Sequence, residues 1–364
     1  MRLVLALLLA LVAAPAEAPA AAQRPADLEE VSRVLSTLVE TYGVSGMEAP
    51  VREAVTGLLP AWARAESDTA GNLWVRVGRG DPVVVFVAHL DEIGFRVTAI
   101  RDDGLLELEP RGGFYPSLFE AQPALVHTGA GIVPGVFAPR EADTIPLRRT
   151  PARLRVDVGR RSREEVEQSG IRVGHTVTMP KELVRLAGTR ATGRSFDDRI
   201  GSAAQLIALR RIDPARLRHM VIFVWSVREE VGLEGARAAA AALGLGAARV
   251  HPIDTFVSAD SPRELPNFGV APLGRGPVAR AVDNSSVTPP PLLDTLRAVA
   301  RGRRIPLQVG ATNGGNDGSA FAPWGVPDVP IGWPLRYSHS PAEVADLRDV
   351  AWLADLIAAI AERW

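Results

Sequence analysis

The chain has 364 residues, 47% of them hydrophobic, which is enough for about two domains and a sizeable core. Its 41 lysines and arginines nearly balance 42 aspartates and glutamates, so no global field favours nucleic acid or an anionic membrane, and small or neutral ligands are expected. There is no cysteine, which excludes disulfides, a lipid-modified cysteine and thiolate ligands; any transition metal must be held by His, Asp or Glu.

Met1-Arg2, an apolar run over 3–12 and an Ala-Pro-rich stretch to Ala22 read as a secretory signal peptide, residues 1–22. The run is too short for a bilayer, which takes ~20 residues, and no later run is long enough. The mature protein is therefore expected to be exported, periplasmic or secreted, without stable membrane insertion. Leu28, Val31, Leu35, Leu38 and Val39 recur at helical spacing, and a second helical pattern runs through Val51, Val55, Leu58 and Leu59. A turn at 68–72 leads into a strand at 73–77. Residues 83–88 form an unbroken apolar run, as in a strand buried on both faces, and it stops abruptly at His89-Leu90-Asp91-Glu92.

From 94 to about 188 the texture changes to short alternating segments broken by Gly and Pro, which indicates a compact all-β module. Within it, 161–168 reads as a helix and 139–151 as an exposed charged loop. Strand and helix alternation resumes at Asp197, with a helix at 200–211, a strand at 221–227 and an alanine-rich helix at 234–243. A strand at 255–259 and helices around 292–299 and 349–361 follow. The fold class is α/β with an inserted β module: a main domain of 27–93 plus 190–364, and an insertion of 94–189. No glycine-rich phosphate loop is present, so nucleotide chemistry is not expected.

Each apolar strand of the main domain is followed by acid or imidazole: 83–88 by His89 and Asp91, 221–227 by Glu229-Glu230, and 255–259 by Asp260. Open α/β sheets place their sites at such carboxyl ends. Asp197-Asp198-Arg199 before a helix and His339 in a Gly/Pro-rich region add to the set. Taken singly, each has a structural reading: His89 as a hydrogen-bonded strand end, Glu229-Glu230 as a solvated helix start, Asp260 as a cap, and Asp197-Asp198-Arg199 as a cap with a local ion pair. Taken together, carboxylates crowded on one rim repel unless a cation joins them. Two imidazoles with several carboxylates suit Zn²⁺, Co²⁺ or Mn²⁺, and with one shared carboxylate such a set can hold two ions roughly 3.5 to 4 Å apart. In the doublet, one carboxylate can ligate while its neighbour serves as general base. His127, His175, His219 and His251 stand in no comparable context and read as structural.

The assembled pattern resembles the TET-type dinuclear metal aminopeptidases, metallopeptidase family 42, some of whose relatives are labelled endoglucanases. The resemblance covers nearly all of the mature chain. It rests on Gly43-Val44-Ser45-Gly46 with Glu48, 68–72, 88–95, 196–201, 229–233, 273–277, and 336–341 followed by Glu343-Val344. It implies a zinc-exopeptidase-like fold, with a mixed central sheet flanked by helices and a small inserted β-barrel. It also implies two divalent metal ions: His89, Asp197 and Asp260 around one, and Asp197, Glu230 and His339 around the other, with Asp197 as bridge. Glu229 would be the general base toward the water between the ions, and Asp91 would orient His89. The implied reaction is removal of amino-terminal residues from short peptides. Asp198 stands where the family more often has asparagine, which makes it a second candidate for the bridge, and Asn316 stands where threonine is usual. The family forms large hollow cytoplasmic assemblies, whereas this chain carries an export signal, so a homo-oligomer stays open. Alternatives are a carboxypeptidase or amidohydrolase with the same metal chemistry, and a non-catalytic metal- or peptide-binding protein.

Overall fold

The computed structural model describes residues 25–139, 154–261 and 269–364. The expected signal peptide lies outside them, as does most of the expected loop at 139–151. The amphipathic patterns at the start become α1 (Pro25–Val39) and α2 (Ala49–Leu58), followed by β1 (Ala65–Ser67), β2 (Leu73–Val77) and β3 (Val83–His89). Beyond an inserted module come α4 (Phe196–Arg211), β12 (Met220–Ser226), α5 (Glu234–Leu243) and β13 (Ala247–Pro252), with strand and helix numbers running in chain order.

The central sheet has the order β1-β2-β12-β3-β13 and is mixed: β12 and β13 run parallel to β3, whereas β2 is antiparallel to β12. The apolar run at 83–88 is continuous because both faces of β3 are covered. Val84, Phe86 and Ala88 point into a core shared with α1, α4 and the C-terminal helix α7 (Leu347–Arg363), while Val85 and Val87 face α5 and Phe321. The Phe86 and Phe223 rings stack with centroids 5.2 Å apart, and truncating a buried phenylalanine of this kind costs about 3–5 kcal/mol. The register pairs His89 with Ser226, so both parallel strands end at the same rim.

The inserted module is a closed barrel of six strands, β4 (Gly94–Ile100), β5 (Leu106–Arg111), β6 (Pro123–Thr128), β7 (Gly131–Phe137), β8 (Arg155–Asp157) and β9 (Thr176–Thr178), with the helix α3 (Arg163–Gln168) between the last two. It has its own core around Phe95, Phe119 and Phe137. The chain enters it through Glu92-Ile93, and there Glu92 is fully buried among three cations: Lys181 at 2.8 Å, Arg194 at 2.7 Å and Arg199 at 3.5 Å. Burial alone would raise the pKa of Glu92; the three cations bring it well below the usual carboxylate range. Lys181 and Arg194 lie on the returning chain, so one carboxylate pins both crossings to α4.

The expected strand at 255–259 is not a strand of the central sheet. The chain keeps its partner β3 only as far as Ile253, whose N–H donates to Val87 O. It then switches to another segment, with Asp254 N–H donating to Ile331 O and Phe256 N–H to Trp333 O. Only β14 (Phe256–Val257) remains as strand there, paired with residues 334–335.

Candidate metal centre

His89 closes β3, with its imidazole Nε2 3.2 Å from Asp197 Oδ1 and its Nδ1 3.4 Å from Asp91 Oδ1. Asp91 is fully buried, and its carboxylate also accepts the Ser45 hydroxyl (2.6 Å) and the backbone N–H groups of Glu229 (3.0 Å) and Glu230 (3.1 Å). One carboxylate thus sets the ring of His89 and fixes the loop beyond β12. Buried carboxylates need several donors to be stable, and Asp91 has them.

Asp197 and Asp198 start α4 with non-helical backbone, joined by a cis peptide. The turn sends the two side chains to different tasks. Asp198 accepts His89 N–H (2.8 Å) and Gly201 N–H (2.9 Å), and a Cβ at position 201 would lie 2.1 Å from its Oδ1, so glycine is required there. Both of its oxygens are taken up by backbone donors, whereas those of Asp197 face imidazoles, which favours Asp197 over Asp198 as the bridge. Asp197 has Oδ1 toward His89 and Oδ2 3.3 Å from Nε2 of His339. Each oxygen faces a different imidazole. His339, held at a φ of 59°, also has Nε2 3.1 Å from Glu230 Oε1.

Within this group, ligand atoms of His89, Asp197 and Glu230 all lie within 4.8 Å of one another. Glu230 Oε1 is buried with no hydrogen-bond donor beyond its ion-pair contact with His339. Burial opposes protonation of His89, but Asp197, Asp91 and Glu229 carry its pKa well above the ordinary value. His339 is driven the same way by Glu230 and Asp197, against its burial. Burial pushes Glu229 well above the carboxylate range, and the charges of Asp317, Glu230 and Asp254 add to this against the opposing field of His89. An excess of acid that draws protons onto both imidazoles is a place where a cation is favoured, and the N/O donor set without sulfur fits a divalent ion.

The family model described as M42 glutamyl aminopeptidase matches residues 71–356. The chain belongs to the M42 peptidases. It is 33% identical over 329 residues to a lysyl aminopeptidase of Pyrococcus furiosus, covering 87% of this chain and 92% of that protein. A glutamyl aminopeptidase of Lactococcus lactis is 27% identical, over 86% and 91% of the two. Among solved structures, the TET1 peptidase of Pyrococcus horikoshii, described as able to assemble into a tetrahedron or a large octahedral shell, superposes with a TM-score of 0.85 at 32% identity, covering 92% of this chain and all of that one. A Thermotoga maritima structure titled endoglucanase gives 0.72 at 27% identity, over 90% and 96%. The protein is thus a peptide-bond hydrolase, an aminopeptidase of a family that implies divalent metal ions, built on the mixed α/β fold with a barrel that these peptidases share.

One expectation for this M42 peptidase is corrected by the fold. Asp260 stands apart from the group: its Oδ2 accepts Leu273 N–H (3.1 Å) and pairs with Arg336 (2.8 Å). The reason is the switch of partners after Ile253, which carries the chain out of the sheet before residue 260. The acid just past the real strand end is Asp254, buried, whose pKa is pushed up to about 6 by burial and the charge of Asp197, against the fields of Arg280 and His89. Asp317 also reaches the site: its Oδ2 accepts the Ser226 hydroxyl, its Oδ1 is unpartnered, and burial pushes it up to about 7. Glu343 ties the site together from behind, accepting Phe196 N–H (2.6 Å) and His339 N–H (2.9 Å). The other four histidines make their contacts elsewhere; His251, for instance, faces Val329 O and Arg249.

Proposed function

We propose that the protein is an exported aminopeptidase that removes amino-terminal residues from short peptides and carries two divalent cations, Zn²⁺ first and Co²⁺ or Mn²⁺ as substitutes. Asp197 would be the shared ligand, with His89 and Asp254 available to one cation and Glu230 and His339 to the other. Cations held there would polarise the scissile carbonyl and lower the pKa of the attacking water. Glu229 takes that water's proton and passes it to the departing amine. Asp91 holds the imidazole of His89 and the backbone of the doublet, so that Glu230 faces His339 while Glu229 stays free to move a proton.

The observation that carries the reading is Asp197, with one carboxylate oxygen toward each of two imidazoles and Glu230 beside it at the same Nε2 of His339. Export rests on the charged start, apolar run and small residues of 1–22. A homo-oligomer is proposed from the shell-forming TET1 peptidase. The test is hydrolysis of aminoacyl chromogenic substrates and of free and amino-blocked peptides, with Zn²⁺, Co²⁺ or Mn²⁺ added back to chelator-treated protein. Turnover only with a free amino terminus is expected. Hydrolysis of blocked substrates alone points to an amidohydrolase, and no turnover with any metal removes the enzyme reading. Fractionation of cells making the full chain tests export.

A further inference from the structure

Beyond the ligands stands a group that belongs to the other module. The Nδ1 of His339 lies 2.7 Å from the backbone carbonyl oxygen of Gly113, which is part of the turn after barrel strand β5. The preceding Gly112 has a φ of 111°, and a Cβ there would meet Ile93 Cγ2 at 2.6 Å and Glu230 Oε2 at 3.3 Å. The turn is therefore pressed against two candidate ligands, His339 and Glu230, and against the residue through which the chain leaves for the barrel. It is also fixed to the barrel interior: Phe114 packs edge-on against Phe95, with centroids 5.1 Å apart, and against Phe119 at 5.2 Å. A carbonyl oxygen accepts only, so the Nδ1 of His339 keeps its proton whether the ring is charged or neutral, and the proton a cation would displace is the one on Nε2, the nitrogen that faces Asp197 and Glu230.

We propose that the barrel is a working part of the metal centre, and that the Gly113 carbonyl is the positioning group that sets the tautomer and ring angle of His339. This rests on the functional reading above. Metal-ligating imidazoles depend on such acceptors, and losing one costs 10–100-fold in metal affinity. The consequence is selective: of two bound equivalents, only the one held by His339 and Glu230 depends on the barrel's position. The test titrates Zn²⁺ against a chromophoric chelator in the full protein and two variants. In Gly112→Ala, the left-handed φ and the clash with Ile93 displace the turn. In the second, Phe114 is replaced by its α-hydroxy acid, so that the 113–114 amide becomes an ester with a weaker acceptor carbonyl. The expected result is one equivalent weakened by 10-fold or more, the other unchanged, and the melting point of the metal-free protein preserved in the ester variant. Gly129→Ala, elsewhere on the barrel with open space around its Cβ, serves as control. Two equivalents of wild-type affinity in the ester variant overturn the proposal, whether or not Gly112→Ala folds. A wild-type protein that takes up no Zn²⁺ defeats the functional reading itself.

Discussion

Asp254 and Arg280 form a buried ion pair, Oδ2 to Nη1 at 3.1 Å, with the arginine side chain only 1% exposed. Arg280 in turn pairs with Asp283 at 3.1 Å and donates to the carbonyls of Thr255 and Gly315, so it is held rigidly. The arrangement keeps a carboxylate charged at a place where burial and neighbouring acids work against charge.

Exchanging the two aspartates of this segment separates their roles. Asp254→Ala is expected to lose one metal equivalent and roughly 10³-fold in turnover, in line with the several kcal/mol a catalytic ion supplies. Asp260→Ala breaks its partly exposed pair with Arg336, worth ~0.5–1 kcal/mol, and its bond from Leu273 N–H, and keeps both equivalents. Metal content by mass spectrometry and turnover on one substrate decide it; the reverse pattern would restore Asp260 to the site.

Glu229→Gln keeps the volume and burial of the side chain but cannot accept a proton. A fall of about 10²–10⁴ in kcat is expected, with KM and bound metal near wild type. A variant that loses metal as well as kcat would make Glu229 a ligand rather than the base.

The candidate metal site was legible in the sequence where a buried strand announces its own end. The apolar runs of β3 and β12 stop at polar residues, and this located His89, Asp91, Glu229 and Glu230 without a fold. Asp254 escaped because residues 253–259 are mostly apolar, and nothing local says that the chain changes hydrogen-bond partners after Ile253. Pro252 was the available signal: it has no N–H to donate to a central ladder, and ending the strand there leaves Asp254 two residues beyond. Arg280, Asp317 and Glu343 carry no comparable mark. Each reaches the site from a distant segment, and the Gly113 carbonyl is backbone, for which side-chain patterns give no sign.

Asp91 is the residue through which a small change should spread furthest. In Asp91→Asn one oxygen still accepts an N–H from the doublet, but the amide NH₂ faces the other N–H whichever way it is turned. A 10–100-fold loss of metal affinity is expected, larger than the effect on the folded state, because the ligands are misplaced rather than removed. Competition titration beside a urea melt checks this; equal affinity for metal would leave Asp91 a purely structural acid.

Acid stability provides a test outside the candidate metal site. His251 is fully buried, its Nδ1 donating to Val329 O and its Nε2 accepting from Arg249. Burial, with help from the Arg249 charge, lowers its pKa from 6.5 to about 3. The unfolded chain therefore binds a proton between these values that the folded chain refuses. The sign follows: the contribution is fully present above pH 6.5 and is lost as pH falls toward 3, by roughly 2 kcal/mol at pH 5. In His251→Gln this slope should flatten, although the variant is less stable at pH 8 because a packed ring and its contacts with Phe86 and Trp364 are gone. Urea midpoints from pH 8 to 5 for the two proteins provide the measurement, and an unchanged slope would place the acid sensitivity in other groups.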